Sequence, residues 1–331
     1  MSARLSVLDL SPIRAGETPA AAVRETLALA QAADGLGYHR FWVAEHHATR
    51  SFASASPEIL IAAISQRTTR IRVGAGGVML VNYSPLKVAE QFMELEALAP
   101  GRIDLGVGRA LGADPRAAGA LRSAGVEAFG QYFALLNAWL LDAAGREGFP
   151  ITHPAHGVRA QPCGPSHPDL FVLCSSAESA RFAGLVGVGM VFAEFIARAD
   201  GAAAVAAYRE AFRPSVFRSL PCAGIAVGAL AADDAETARR LDAPRRAWGH
   251  AFAEGRHDPF LSIDAAQADL ARRGLGPPDA AELHAAFVGD GPGVRAALTA
   301  KAAASGADEL FLVNFAPTLA DRVRSLELLA G

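Results

Sequence analysis

The run HRFWVAEHH, residues 39–47, carries four apolar residues, Phe41 to Ala44, straight into Glu45, His46 and His47. Its first part reads as a buried strand, rich in aromatic and β-branched side chains. A buried strand does not end this way without a reason, because a desolvated charge or imidazole is costly unless something satisfies it. Either the strand surfaces into solvent here, or it ends in a site that uses these groups. The other strands decide which.

Similar runs recur along the chain: LSVLDL (5–10), IRVGAGGVML (71–80), RIDLGVG (102–108), DLFVLC (169–174), GMVFA (189–193), CAGIAVGALA (222–231) and ELFLVN (309–314). Helical patterns separate them near 19–35, from Pro57, from Pro85 to about Leu98, and at 127–144, 177–186, 200–212 and 318–330. Ser56 stands where a cap belongs, Pro57 at a first turn, and Gly35 or Gly37 where a helix stops. Gly145 to Asp169, rich in Pro, Gly and His, reads as a loop or small hairpin. Helical segments fill 233–304, broken around His257-Asp258-Pro259 and from Gly274 to Pro278. Eight strands alternating with helices predict a (β/α)8 barrel, with an insertion between strands seven and eight. A doubly wound sheet feeds on the same alternation. No composition shift marks a boundary, so residues 1–331 read as a single domain.

In a (β/α)8 barrel the active site lies at the C-terminal ends of the strands, and Glu45-His46-His47 sits at one of them. Alternation sends neighbouring side chains to opposite sides, so the two histidines do not converge on one ligand. That weakens a metal reading, and no H-x-H or H-E-x-x-H is present. A solvated strand end and a catalytic histidine both remain open from these residues alone.

Other strand ends carry candidates of their own. GVGRALG (106–112) spaces its glycines G-x-G-x-x-x-G, which departs from the dinucleotide fingerprint. Arg109, at the top of strand four, can grip a phosphate with two hydrogen bonds or pair with a carboxylate such as Asp114. Ser175, Ser176 and Ser179 stand at a helix N-terminus, where free backbone N–H groups favour an anion, although N-capping also explains one of them. GAGG (74–77) ends strand three, where a flat ligand could approach bare backbone, or where the chain simply turns. HPAHG (153–157) with Cys163 lacks the fourth ligand of a zinc site. No G-x-S-x-G, P-loop or C-x-x-C occurs.

Composition narrows the field. Hydrophobic residues make up 51% and charged residues 20%, enough for a large core and too apolar for disorder. A net charge of −3 gives no reason to expect nucleic acid or an anionic membrane. Three cysteines without paired spacing argue for a reducing compartment. The start MSARLSVLDLSP lacks the regions of a signal peptide, and the longest nearly uncharged stretch, Phe182 to Ala193, is too short to span a bilayer. A soluble cytoplasmic protein is expected.

Taken in order, EHH, VGAGGVMLVNYSPLKVAEQF, GRIDLGVGR, SSAESA and the late GADELFLVNFAPTLADRVRSLELLA (306–330) resemble the bacterial-luciferase-like flavin monooxygenases. The likeness runs over about residues 4–193, returns at 306–330, and is similar to an actinomycete subgroup that includes epoxidising enzymes of polyketide tailoring. It implies a (β/α)8 barrel binding reduced FMN at the strand C-termini, supplied by a separate NAD(P)H:flavin reductase. It also implies reaction of the flavin C4a carbon with O2 to give a hydroperoxide that oxygenates a small organic molecule. Carried over, His46 matches the family's catalytic histidine and Arg109 its phosphate-binding arginine. Ser175, Ser176 and Ser179 fall on its phosphate-binding turn. Gly76 and Gly77 fall where a non-prolyl cis peptide often underlies the flavin. Cys174, Tyr83 and Glu194 depart from the usual Gly, His and His.

An F420-dependent hydride-transfer enzyme on the same barrel, or a flavin-binding protein without catalysis, would carry many of the same residues. Relatives commonly dimerise through early helices, and ILIAAI and VAEQFMELEAL are apolar enough for a homodimer. The tract from about Ala243 to Phe287 mixes charge with Pro and Gly and reads either as a mobile lid over the site or as a fixed insertion.

Overall fold

Eight parallel strands close on themselves in a computed structural model that describes residues 3–146, 148–197, 199–279, 282, 283 and 286–330. They are β1 (Arg4–Asp9), β2 (Arg40–Val43), β3 (Arg72–Met79), β4 (Ile103–Gly108), β5 (Asp169–Cys174), β6 (Gly189–Ala193) and β7 (Ala223–Gly228), with β10 (Glu309–Val313) as the eighth barrel strand. β10 closes the ring between β7 and β1. The outer layer includes α1 (Pro19–Gly35), α2 (Pro57–Ser65), α3 (Pro85–Leu98), α4 (Pro115–Ala120), α5 (Phe129–Ala143), α6 (Ala177–Leu185), α7 (Glu194–Ala197) and α8 (Gly201–Ala211). Proline opens α1, α2 and α3, where its missing N–H costs nothing. Among the described residues no helix is long and apolar enough to cross a membrane.

Two parts of the chain differ from the sequence reading. CAGIAVGALA divides at Ala229 into β7 and β8 (Leu230–Ala232). The Ala229 N–H still reaches Val313 of β10, whereas that of Leu230 goes to Phe287, so the chain leaves the barrel between them. β8 then pairs in parallel with β9 (Val288–Asp290), a three-residue strand hidden in a tract that reads as helical. Between these two strands lie α9 (Ala235–Ala253) and α10 (Ile263–Arg272), and α11 (Gly291–Ser305) leads back to β10 before α12 (Leu319–Ala330) closes the chain. The insertion between strands seven and eight is therefore present, on its own two-stranded base.

GAGG is the second difference. The strand does not end there but runs on to Met79, with its register against β4 shifting between Gly76 and Val78. Packing explains the glycines. A Cβ on Gly74 would lie 2.6 Å from the Asp104 Cβ and 2.8 Å from the Trp42 indole nitrogen, and one on Gly76 would lie 2.7 Å from Leu8. These positions are empty so that Trp42 can fill the barrel.

The interior is layered. At the start of the strands, Arg40 pairs with Asp104 at 2.6 Å and with Glu309 at 3.2 Å, while Arg72 holds the same Asp104 oxygen at 2.6 Å. The Trp42 indole donates to the other Asp104 oxygen at 2.8 Å. Burial alone would raise the Asp104 carboxyl, but Arg40 and Arg72 outweigh it and hold it below its ordinary value. Above this polar floor Trp42 packs on Phe171 and Phe311, at ring separations of 5.0 and 4.4 Å. Phe41 and Val43 point the other way, into the layer under the helices.

Removing the shared acceptor takes the Asp104 carboxylate from both Arg40 and Arg72 and the acceptor from the Trp42 indole. Asp104→Ala is expected to cost about 3–5 kcal/mol, the range for breaking a buried ion pair. Denaturant unfolding at neutral pH measures it; a loss under about 1 kcal/mol would mean that the floor is not held by charge.

Candidate active site

The ending of β2 is anchored residue by residue. Ala44 N–H bonds to Asp9 of β1, His46 N–H to Ser54, and His47 N–H to Gly112 beyond β4. Trp42 and Ala44 face the barrel interior, and His46 continues that side, its ring 4.7 Å from Phe52 of the same apolar cluster. Its Nδ1 is buried with no hydrogen-bond partner among the described residues. Burial, aided by the nearby His47, lowers its pKa to about 4, so the imidazole is neutral at physiological pH.

Glu45 and His47 take the opposite side. The Glu45 carboxylate, fully buried, lies 2.8 Å from His47 Nε2, accepts from Tyr83 Oη at 2.8 Å through the same oxygen, and accepts from the Met79 N–H at 3.1 Å through the other. Burial raises the Tyr83 phenol and the adjoining carboxylate raises it further, so it remains a donor. The two histidines diverge as alternation requires. Among the described residues no group of three metal-ligating side chains is close enough to hold an ion. The HPAHG loop is spent on itself, with His153 Nδ1 accepting from Ala155 N–H at 3.1 Å and its ring stacked on Phe149.

The remaining candidates belong to the next three strands. Arg109 follows β4, is exposed, and makes no ion pair among the described residues, because Asp114 is occupied in capping α4 through the N–H groups of Arg116 and Ala117. Ser176 caps α6: its hydroxyl accepts from Ser179 N–H at 3.2 Å while Ser179 Oγ accepts from Ser176 N–H at 3.3 Å. Ser175 is exposed just before it. The Gly76–Gly77 peptide of β3 is cis, with Gly76 half-buried. His46, this peptide, Arg109 and the serines thus lie on β2, β3, β4 and β5, four neighbours in the ring. Glu194, by contrast, is committed to structure, accepting from Gly201 N–H and pairing with Lys301, both at 2.7 Å.

Above His46 the insertion supplies an aromatic cover. Trp248 of α9 stacks on Phe260 at 5.2 Å, and Phe260 on Phe315 at 5.1 Å; Phe52 adjoins both Trp248 and Phe260. It is tied down by Trp248 Nε1 donating to Ser51 Oγ at 3.0 Å and by Phe260 exchanging backbone bonds with Ile13 and Ala15. The middle of the Ala243–Phe287 tract therefore seats on the loops after β1 and β2; residues 280, 281, 284 and 285 lie outside the described ones. The Glu45–Tyr83 hub and this cover escape a reading of the sequence. Glu45 shows only as an isolated charge after a strand, and the four rings share no spacing. A cavity of about 350 Å³ opens at the opposite end of the barrel between Leu5, His39, Leu298 and Leu310, and none of the candidate residues lines it.

Comparison with known proteins gives consistent matches. A family model described as luciferase-like monooxygenase matches residues 3–309. The uncharacterized protein YwcH of Bacillus subtilis (strain 168) is 46% identical over 242 residues, covering 72% of this chain and 71% of that one. The N-acetyl-S-alkylcysteine monooxygenase of the same organism is 46% identical over 193 residues, 58% of this chain and 57% of its own. The crystal structure of apo-MsnO8 superposes with a TM-score of 0.88 at 37% identity, covering 99% of this chain and 97% of that one. Two more distant structures share the fold alone. They are the oxygenating constituent of 3,6-diketocamphane monooxygenase of Pseudomonas putida in complex with FMN (TM-score 0.71, 20% identity, 100% and 97% coverage) and an F420-dependent secondary alcohol dehydrogenase (0.66, 16%, 99% and 97%).

The depressed pKa of His46 has a measurable sign. Its imidazole NMR signals are expected to titrate near pH 4, with no inflection near the ordinary 6.5. Protons then bind the unfolded chain first, so this residue's contribution to stability is complete above pH 6.5 and is lost as the pH falls toward 4. A His46 that titrates near 6.5 would contradict the buried neutral ring.

Proposed function

The chain belongs to the luciferase-like monooxygenase family, and from that premise we propose that it is an FMN-dependent monooxygenase acting on a small organic substrate. The observation that carries the reading is Arg109, a guanidinium with no carboxylate partner among the described residues, one strand away from the N-terminus of α6. A free guanidinium on the strand end adjoining a helix N-terminus with exposed serines offers the kind of donor set a phosphate monoester needs. In this reading Arg109 grips the FMN phosphate, Ser175, Ser176 and Ser179 complete its cradle, and the bare backbone of Gly76 and Gly77 meets the flavin ring.

Bound reduced FMN supplies the electrons that split O2, one oxygen entering the substrate and the other leaving as water. The chain's own residues do the rest. His46, neutral and with an unpartnered buried nitrogen, accepts or relays one proton beside the flavin. Phe52, Trp248, Phe260 and Phe315 keep water away from that nitrogen. A separate NAD(P)H:flavin reductase provides the reduced cofactor, the whole of residues 1–331 acts as one domain, and its setting is the cytoplasm. The protein works as a homodimer, for which α2 and α3 offer the exposed Ile59 and Leu98.

Three measurements test this. FMN is expected to bind far more tightly than riboflavin, and Arg109→Ala to weaken FMN by about 1.5–3 kcal/mol, the worth of hydrogen bonds to a charged group. Equal affinity for the two flavins removes the phosphate assignment, and preference for F420 over FMN moves the chain to hydride transfer. His46→Ala is expected to slow oxygenation by about 10²–10⁴-fold with flavin affinity retained, and His47→Ala to cost less. Light scattering at micromolar concentration is expected to give twice the chain mass, and a monomer would count against the dimer.

A further inference from the structure

The Glu45 carboxylate has no role in closing the barrel, since β2 is complete at Val43. It is nevertheless fully buried and collects three donors from three places: the Met79 backbone of β3, the Tyr83 hydroxyl beyond it, and His47. Glu58 of α2 lies close enough that its own carboxyl is raised, by burial first and then by Glu45. A buried carboxylate here is expensive to keep beside another acid. What it achieves is geometric. Ala44 is tied by a backbone bond to β1, His46 and His47 by backbone bonds to the loops at Ser54 and Gly112, and Glu45 by its side chain to β3. The peptide that carries His46 is thereby fixed on both sides, and its ring is held against Phe52 on the interior face.

We propose that Glu45 and Tyr83 are positioning residues for His46: hydrogen bonds on the helix side of β2 set the orientation of the imidazole on the barrel side. This rests on the monooxygenase reading for its consequence, but not for its geometry. Tyr83 supplies a neutral donor that does not ionise, so Glu45 keeps two donors, the Tyr83 hydroxyl and the Met79 N–H, independent of His47. The residue that departs from the usual histidine at this position is, on this view, a fixed strut.

The test uses the full chain loaded with reduced FMN and exposed to O2, with return of oxidised-flavin absorbance and released hydrogen peroxide as readouts. The parent is expected to reoxidise its flavin more slowly than free FMN. Glu45→Gln, which turns an amide donor toward Tyr83 and His47, and Tyr83→Phe, which deletes one donor with the ring kept, are both expected to speed reoxidation roughly 10- to 100-fold, the range of one hydrogen bond to a charged group. FMN affinity is expected to stay at the parental value, which a general loss of structure would not allow. Parental reoxidation rates in Tyr83→Phe overturn the proposal, and this variant carries the test if Glu45→Gln does not fold. A parent that binds FMN yet reoxidises it like free flavin refutes the monooxygenase reading instead. Crystal structures then judge the positioning: the 4.7 Å His46–Phe52 ring separation is expected to widen in Tyr83→Phe, and an unchanged separation overturns it.

Discussion

One carboxylate, that of Asp104, is shared by Arg40, Arg72 and the Trp42 indole at the start of the strands, and the barrel's interior is arranged around keeping it satisfied. Trp42 must reach down to it, so β3 gives up its side chains at Gly74 and Gly76 to make room. With the indole fixed, Phe171 and Phe311 fill the space beside it. The lower two layers are then solid. Glu45, His46, Arg109 and the serines stand beyond these layers, past the upper ends of the strands.

Strand alternation then divides the charged ending of β2. The interior side receives a histidine whose Nδ1 has no hydrogen-bond partner among the described residues and whose pKa lies near 4, and the helix side receives a carboxylate with three donors, the second histidine among them. The insertion completes this asymmetry by laying aromatic rings over the interior side and leaving the helix side to α2 and Tyr83.

Local signals made most of the fold legible. The eight strands follow from runs of β-branched and aromatic residues bounded by helices, and α3 begins and ends where Pro85 and Leu98 indicate. Failures came where the deciding partner is distant in sequence. β9 is three residues long and exists because β8 lies beside it, and Gly74 and Gly76 of β3 are set by Asp104, Trp42 and Leu8 rather than by a turn. In the candidate site the strand-end residues stand out because a charge after an apolar run is locally odd. The Glu45 hub does not, since its donors at positions 79 and 83 arrive only when β3 lies alongside β2. Phe52, Trp248, Phe260 and Phe315 are brought together by closure of the chain alone.

The short β8–β9 pair has a wider meaning. It fastens the two ends of the insertion side by side, Leu230 against Val288 and Ala232 against Asp290, just outside the ring. Whatever lies between them begins and ends at one neck, so the entropy of closing that excursion is settled there and not charged to the barrel strands. The cover is in effect a cassette. The fastening of the cover is thus separate from the pairing of β7 with β10, which keep their own register in the ring.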